Sequence, residues 1–269
     1  MIFFWRHGYL PDLDAPRLFN EWVQWRKLYD RDLGLAALTD KFYAKAYAAE
    51  RIGPELIIPT LWQGRRLPDV APWPLPLIVK SNHGCKQFVV VRCVKDWQRA
   101  RRLAPSWLKT VYGKWLDEWH YGRAEQSLLV EPFIGPAEGL PTDYKLFVFG
   151  GVAPFVQVHV DRHADHRWVQ YDRDWSKISH CSADVDRPMR LAEMLDAAEK
   201  IAGNRDHLRV DFYEVAGRLW FGETCLFPGS GLDPFDPVEL DEIFGRLWTT
   251  RVPGDEKTVL QADLLPMSQ

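Results

Sequence analysis

The second half of the chain holds five short apolar runs, at 144–149, 153–160, 167–171, 208–214 and 218–223, with one helical pattern at 190–203 among them. Runs of this length read as strands, and several of the gaps between them are too brief for the crossover that a parallel pair needs. An antiparallel meander with one or two helices is therefore expected, an α+β arrangement rather than a βαβ series.

The first half is organised differently. Apolar positions three and four apart, filled in with alanine, predict helices across 16–50, with Thr39-Asp40 as the N-cap pair of the second. Leu56–Pro59 reads as a short strand and the proline-rich 68–76 as an extended loop. Leu77–Lys80 and Gln87–Arg92 read as strands around a polar turn, 96–120 as a helix, and Ser127–Gly135 as a closing strand. The expected organisation is a helical segment at 1–38, a first lobe at 39–134 and a second lobe at 135–269. At 269 residues and 46% hydrophobic content the chain can fill the cores of two packed lobes.

Bulk chemistry removes several function classes. A net charge of −3, with acids and bases interspersed, gives no electrostatic footprint for nucleic acid. The four cysteines (Cys85, Cys93, Cys181, Cys225) form no CxxC pair, which argues against a disulfide framework or zinc ribbon and for a reducing compartment. The chain opens with only five apolar residues before Arg6, too few for a secretory core, and no apolar run approaches a membrane span. A cytoplasmic location is expected. Many of the 13 tryptophans fall in helical patterns, where burying an indole is a simpler role than stacking on a sugar.

Four constellations bear on chemistry. Arg209-Val210-Asp211 and Phe221-Gly222-Glu223 flank a turn at 214–217, so Asp211 and Glu223 fall opposite one another in a hairpin: a pair of hard ligands for Mg²⁺, or two acids on a solvated edge. Lys80 ends an apolar strand beside Ser81-Asn82-His83-Gly84, either reaching an anion held by the turn's N–H groups or leaving the core. Lys145 alternates with apolar neighbours and faces either a cleft or solvent. His159, His163 and His166, with Asp161 and Asp165 between them, lack a zinc-site spacing, and a phosphate- or carboxylate-binding loop around Arg162 suits the segment better. There is no nucleophile elbow, P-loop or dinucleotide fingerprint.

Taken in order, Asp40-Lys41, Ile78-Val79-Lys80-Ser81-Asn82-His83-Gly84, Val130-Glu131-Pro132-Phe133-Ile134, Asp143-Tyr144-Lys145, Asp161-Arg162, Arg209-Val210-Asp211 and Phe221-Gly222-Glu223, then Pro228-Gly229-Ser230-Gly231, resemble the ATP-grasp superfamily and within it the TupA-like branch of teichuronopeptide synthesis. The resemblance implies two α+β lobes with largely antiparallel sheets clasping ATP, and a carboxylate that takes the γ-phosphoryl group before an amine attacks. It assigns Lys41, Lys80 and His83 to the phosphate end, Glu131, Pro132, Phe133 and Ile134 to the adenine hinge, Asp143 to the ribose, and Lys145 to the phosphates. Asp211 and Glu223 would hold Mg²⁺, with Lys80, Lys145 and Arg162 as the catalytic cations. Two positions depart from the pattern: Cys85-Lys86-Gln87 replaces a glycine-rich loop, for which Lys86 would compensate, and Cys225 stands where related peptide ligases carry a metal-binding asparagine. The expected lids are 83–87 and 161–175. The implied substrates are a small-molecule or glycan-linked carboxylate and an amino acid, in cell-surface polysaccharide or peptide-polymer synthesis. A hydroxyl kinase and a non-catalytic nucleotide-binding module are the rivals on the same fold.

Overall fold

The computed structural model describes residues 2–160 and 167–250. Two antiparallel sheets carry the molecule. The smaller has the strand order β1-β4-β2-β3, formed by β1 (Trp62–Gly64), β2 (Leu77–Ser81), β3 (Phe88–Val91) and β4 (Leu128–Pro132). The larger has the order β7-β6-β5-β8-β9, from β5 (Asp143–Phe149), β6 (Val152–Val160), β7 (Arg167–Asp172), β8 (His207–Val215) and β9 (Arg218–Cys225). The expected α+β class is observed, and every strand pair in both sheets is antiparallel.

Each sheet has its own core. Helix α5 (Val94–Trp107) lays Trp97, Ala100, Ala104 and Trp107 against Leu77, Val79, Val89, Val91, Leu128 and Val130 of the smaller sheet. Asp96 caps this helix by accepting from the backbone N–H groups of Arg92 and Cys93. The helix ends at Trp107, short of the residue 120 expected, because Pro105 removes a donor from its last turn. Beyond it, Gly113 (φ 76°) and Asp117 (φ 57°) take left-handed conformations and fold the chain back, Glu118 N–H donating to the Gly113 carbonyl.

Side chains of the larger sheet sort by the two-residue strand period. Tyr144, Leu146, Val148, Val156, Val158, Val210 and Phe212 are buried on one face, which α6 (Leu191–Ala202) covers. Each fully buried aromatic or aliphatic side chain here contributes about 1.5–3 kcal/mol. The opposite face is divided lengthwise. Phe147 and Phe149 are sealed at one end by Phe19 from α2 (Phe19–Tyr29) and Phe244 from α7 (Glu239–Thr250). At the other end Asp143 and Lys145 face the smaller sheet.

The helices of the first fifty residues therefore pack on the larger sheet. Along with α3 (Leu33–Ala37), α4 (Lys41–Ile52) places Ala44 and Ala48 in that core, packing against α6 and β9. Asp40 caps α4 as expected, accepting from the N–H groups of Phe42 and Tyr43. The strand expected at 56–59 is absent. Proline at 54 and 59 cannot donate to a ladder, and the segment instead forms a 3-10 turn at Pro54–Leu56 with a single bridge from Ile57 to Phe221. No helix among the described residues is long and apolar enough to cross a membrane.

Candidate active site

Between the sheets lies a cleft of about 580 Å³. Its floor is the polar end of the larger sheet, where register alone assembles a row of side chains. Gln157 of β6 pairs with Lys145 of β5, Lys145 with Asp211 of β8, and Asp211 with Glu223 of β9. The hairpin that joins β8 to β9 turns at Ala216 and Gly217, both at positive φ (51° and 71°), as a two-residue turn of this kind requires. That turn fixes the register as far as Phe212 opposite Phe221, and a β-bulge between Asp211 and Phe212, with Gly222 as the extra residue, then sets Asp211 opposite Glu223.

Asp211 is 1% exposed and fully engaged. Arg209 grips it with two bonds, Nε to Oδ1 and Nη2 to Oδ2, both 2.8 Å, and Lys145 Nζ lies 2.5 Å from Oδ2. The same Lys145 Nζ is 2.6 Å from Asp143 Oδ2. Burial pushes the Asp211 carboxyl up, but Arg209 and Lys145 outweigh it and hold the group below the usual carboxylate range. Burial likewise pulls Lys145 down, while Asp143 and Asp211 more than reverse it, so the ammonium stays charged.

A second ion cluster hangs from the smaller sheet. Glu131, near the end of β4, receives Lys45 Nζ at 2.6 Å on Oε1 and Lys80 Nζ at 2.7 Å on Oε2. Desolvation raises the Glu131 carboxyl, yet Lys80 and Lys45 hold it below the usual carboxylate range. Lys41 donates to the carbonyls of Asn82 (3.2 Å) and Gly84 (2.7 Å) at the start of the 82–87 turn. Its burial lowers its proton affinity, offset in part by Glu223. Lys80 and Lys145, the lysines singled out in the sequence, thus reach the cleft from opposite sheets, with Lys41 between them.

The segment expected to meet adenine also falls on the cleft, which Glu131, Pro132, Phe133 and Ile134 line together. Phe133 N–H donates to the Pro76 carbonyl, on the β2 side. Strand alternation then directs the Pro132 carbonyl and the Ile134 N–H to the other edge, which β1 stops covering where Leu61 N–H meets the Val130 carbonyl.

His83 is a correction. It is 1% exposed, its Nε2 lies 3.0 Å from the Trp107 carbonyl, and burial lowers its proton affinity, so its ring is a neutral prop between the turn and α5 and does not line the cleft. Its neighbours Gly84, Cys85, Lys86 and Gln87 line the cleft instead, with Lys86 at φ 59°. A Cβ on Gly84 would lie 2.4 Å from the Gln87 side chain and 2.9 Å from Ser81 Oγ, so a larger residue here would have to displace those two side chains. Arg162, with His163 and His166, lies outside the described residues. His159 lines the cleft and bonds Gln157 at 2.9 Å.

Sequence reading assigned no role to Lys45, Arg209 or Glu118. Lys45 was within reach of inference: it stands four residues after Lys41, one turn along the same face of α4. Arg209 stands in the Arg209-Val210-Asp211 motif without a role of its own. Glu118 lay in the overextended helix.

As a metal pair the residues fit. Asp211 and Glu223 offer hard oxygens from facing positions, and among the described residues no group of three His, Cys, Asp or Glu gathers, so a cation would take its other ligands from water and substrate, as Mg²⁺ does. Cys225 is no substitute for an oxygen ligand. Burial pushes its thiol up to about 12, so it is neutral.

Several solved structures share this architecture. The chain superposes on D-alanine-D-alanine ligase from Helicobacter pylori with TM-score 0.52 and 15% identity, over 88% of this chain and 68% of that one. For the VanG D-Ala:D-Ser ligase from Enterococcus faecalis the values are 0.51 and 14%, over 80% and 61%. For the ADP complex of the N5-carboxyaminoimidazole ribonucleotide synthetase PurK they are 0.51 and 13%, over 77% and 50%, so the chain spans about half to two thirds of these neighbours' lengths. No curated protein sequence matches. The family model for TupA-like ATP-grasp proteins matches residues 21–249, from α2 to the end of α7, and the chain belongs to that family.

Proposed function

We propose that the protein is an ATP-dependent carboxylate–amine ligase, releasing ADP and phosphate, with Mg²⁺ held by Asp211 and Glu223. The observation that carries this reading is the convergence of Lys41 and Lys45 from α4 and of Lys80, Lys145 and Arg209 from the two sheets on one cleft beside that acidic pair. Transferring a phosphoryl group to a carboxylate demands positive charge placed in advance around a polyphosphate. In this reading the Pro132 carbonyl and Ile134 N–H meet adenine, Asp143 the ribose, and Lys41, Lys80 and Lys145 the phosphates. Asp211 and Glu223 would hold Mg²⁺, which when bound would neutralise phosphate charge. Arg209 keeps Asp211 ionised and aimed, and the two sheets exclude water from the acyl phosphate. Arg162 is proposed as a further catalytic cation. The carboxylate and the amino acid would belong to cell-surface polysaccharide or peptide-polymer synthesis, and the demand for ATP suits the cytoplasm.

The test is ADP release from ATP and Mg²⁺ across a panel of amino acids and uronic acids, comparing the wild type with Glu223→Gln. Amine-dependent ADP release that Glu223→Gln abolishes supports the ligase. A stable phosphorylated product formed without an amine would make it a kinase, and binding without turnover in every pairing would make it a nucleotide-binding module.

A further inference from the structure

One buried acid on the cleft has no part in the scheme above. Glu118 is 6% exposed, lines the cleft, and is carried by the folded-back segment 112–121 between Tyr112 and Tyr121, which line it too. Behind it Lys27 of α2, 4% exposed, places Nζ 2.6 Å from both the carbonyl and the hydroxyl of Ser230, and the Ser230 hydroxyl bonds the Glu118 carboxyl. Ser230 is held at φ 59° in the turn at Pro228–Gly231. Three separate parts of the chain thus hold one carboxylate on the cleft wall.

Its place along the cleft is informative. The hinge and Asp143 mark one end, Lys145 and Asp211 the middle. Tyr121 lines one recess with Lys41, Gly222 and Glu223, and His120 packs against Phe227, two residues beyond Cys225, so the segment that carries Glu118 stands at the Glu223 end of the cleft. We propose that Glu118 takes the proton that the attacking amine must lose, with Lys27 as a positioning residue acting through Ser230. This rests on the ligase reading. An ammonium N–H bond breaks and its proton passes to a Glu118 carboxylate oxygen. The nitrogen lone pair forms the C–N bond to the acyl-phosphate carbonyl carbon, the C–O bond to phosphate breaks with its electrons leaving on phosphate, and the departing phosphate takes the second proton that the nitrogen sheds on becoming an amide.

Other groups at this end are unsuited. Burial pushes the phenols of Tyr112 and Tyr121 and the Cys225 thiol up, so they carry their protons already. His120, pulled to about 3 by burial, cannot hold one. Lys41 and Arg209 are cations, and Asp233 is exposed. Glu118 itself is raised by burial and restrained by Lys27 and the Ser230 hydroxyl, while burial brings Lys27 down to about 8, with Glu118 and Asp117 opposing. A carboxylate raised toward neutrality is a better base than an ordinary one.

Hydroxylamine separates this step from the rest, since it is a neutral nucleophile near pH 7 and needs no base. With ATP, Mg²⁺ and the uronic and amino acids as carboxylates, Glu118→Gln is expected to lower amine ligation by about 10²–10⁴-fold while acyl hydroxamate formation persists. The wild-type ligation rate should fall as pH drops through the Glu118 pKa, and Lys27→Met should move that limb to higher pH. Equal loss of both reactions in Glu118→Gln, loss of neither, or selective loss in Asp233→Asn would overturn the proposal. Hydroxamate absent from the wild type with every carboxylate would overturn the ligase reading itself. Glu118→Asp, which keeps the charge one methylene back, should retain part of the ligation rate and covers the case in which the glutamine variant fails to fold.

Discussion

The two ion clusters that face each other across the cleft are built on opposite principles. On the smaller sheet one acid, Glu131, holds two lysines, and the lysines keep partial access to solvent, 13% for Lys45 and 21% for Lys80. On the larger sheet two acids, Asp143 and Asp211, meet two cations, Lys145 and Arg209, all of them buried, and the guanidinium grips Asp211 with a rigid two-pronged fork. The first cluster carries a surplus positive charge on flexible stems. The second is balanced and fixed. An incoming polyanion can therefore draw Lys80 and Lys45 away from Glu131, whereas the Asp211 cluster accepts a further cation only together with Glu223 opposite it.

This contrast predicts unequal costs for removing one charge. Asp211→Asn leaves Arg209 and Lys145 buried against a neutral amide, and should destabilise the fold by about 3–5 kcal/mol, the range for breaking a buried ion pair from one side. Chemical denaturation measures it. Glu131→Gln should cost less, about 1–3 kcal/mol, because Lys45 retains Thr60 Oγ1 at 2.6 Å and both lysines can turn toward water. Equal losses in the two variants would mean that the clusters do not differ in rigidity. The third effect is on binding. Lys80→Met should weaken ATP by about 10–100-fold, the worth of one charge-assisted contact, with unfolding little changed because Glu131 keeps Lys45.

The larger sheet was legible in the sequence because its logic is local: a two-residue strand period and a tight turn with glycine bring Asp211 and Glu223 to neighbouring positions, and only the β-bulge at Gly222 that sets them directly opposite escapes such a reading. The smaller sheet's cluster was harder to read, since Lys45, Lys80 and Glu131 come from a helix and two strands, and only folding brings them together. Local reading failed most at 108–120. There an amphipathic pattern rich in tryptophan and lysine extends the helix on paper, while Pro105, Gly113 and Asp117 break it and turn Glu118 toward the cleft. His83 misled for a related reason. A histidine in a polar turn looks available for phosphate, but packing under α5 turns its ring to the Trp107 carbonyl.

The smallest predicted effect separates the clusters by pH. Glu131 and Asp211 both have folded-state affinities for protons below their unfolded values, so each contributes stability above the unfolded carboxylate range that is lost as pH falls through the folded pKa. Across that window each group contributes a slope of up to roughly 1.4 kcal/mol per pH unit. Glu118 has the opposite sign: its raised pKa makes ionisation unfavourable in the folded state, so it removes stability as pH rises between its unfolded and folded values. Wild-type unfolding free energy, followed from pH 6 downward, should therefore rise slightly or level off while Glu118 takes up its proton and then fall steeply below about pH 4, near the ordinary carboxylate pKa values. Glu131→Gln should keep the first phase and make the second shallower by about one group's slope. Glu118→Gln should erase the first and leave the second intact. A steep phase unaltered by Glu131→Gln would show that the lysines on the smaller sheet hold Glu131 too loosely to depress it, and only the rigid cluster would then be coupled to folding.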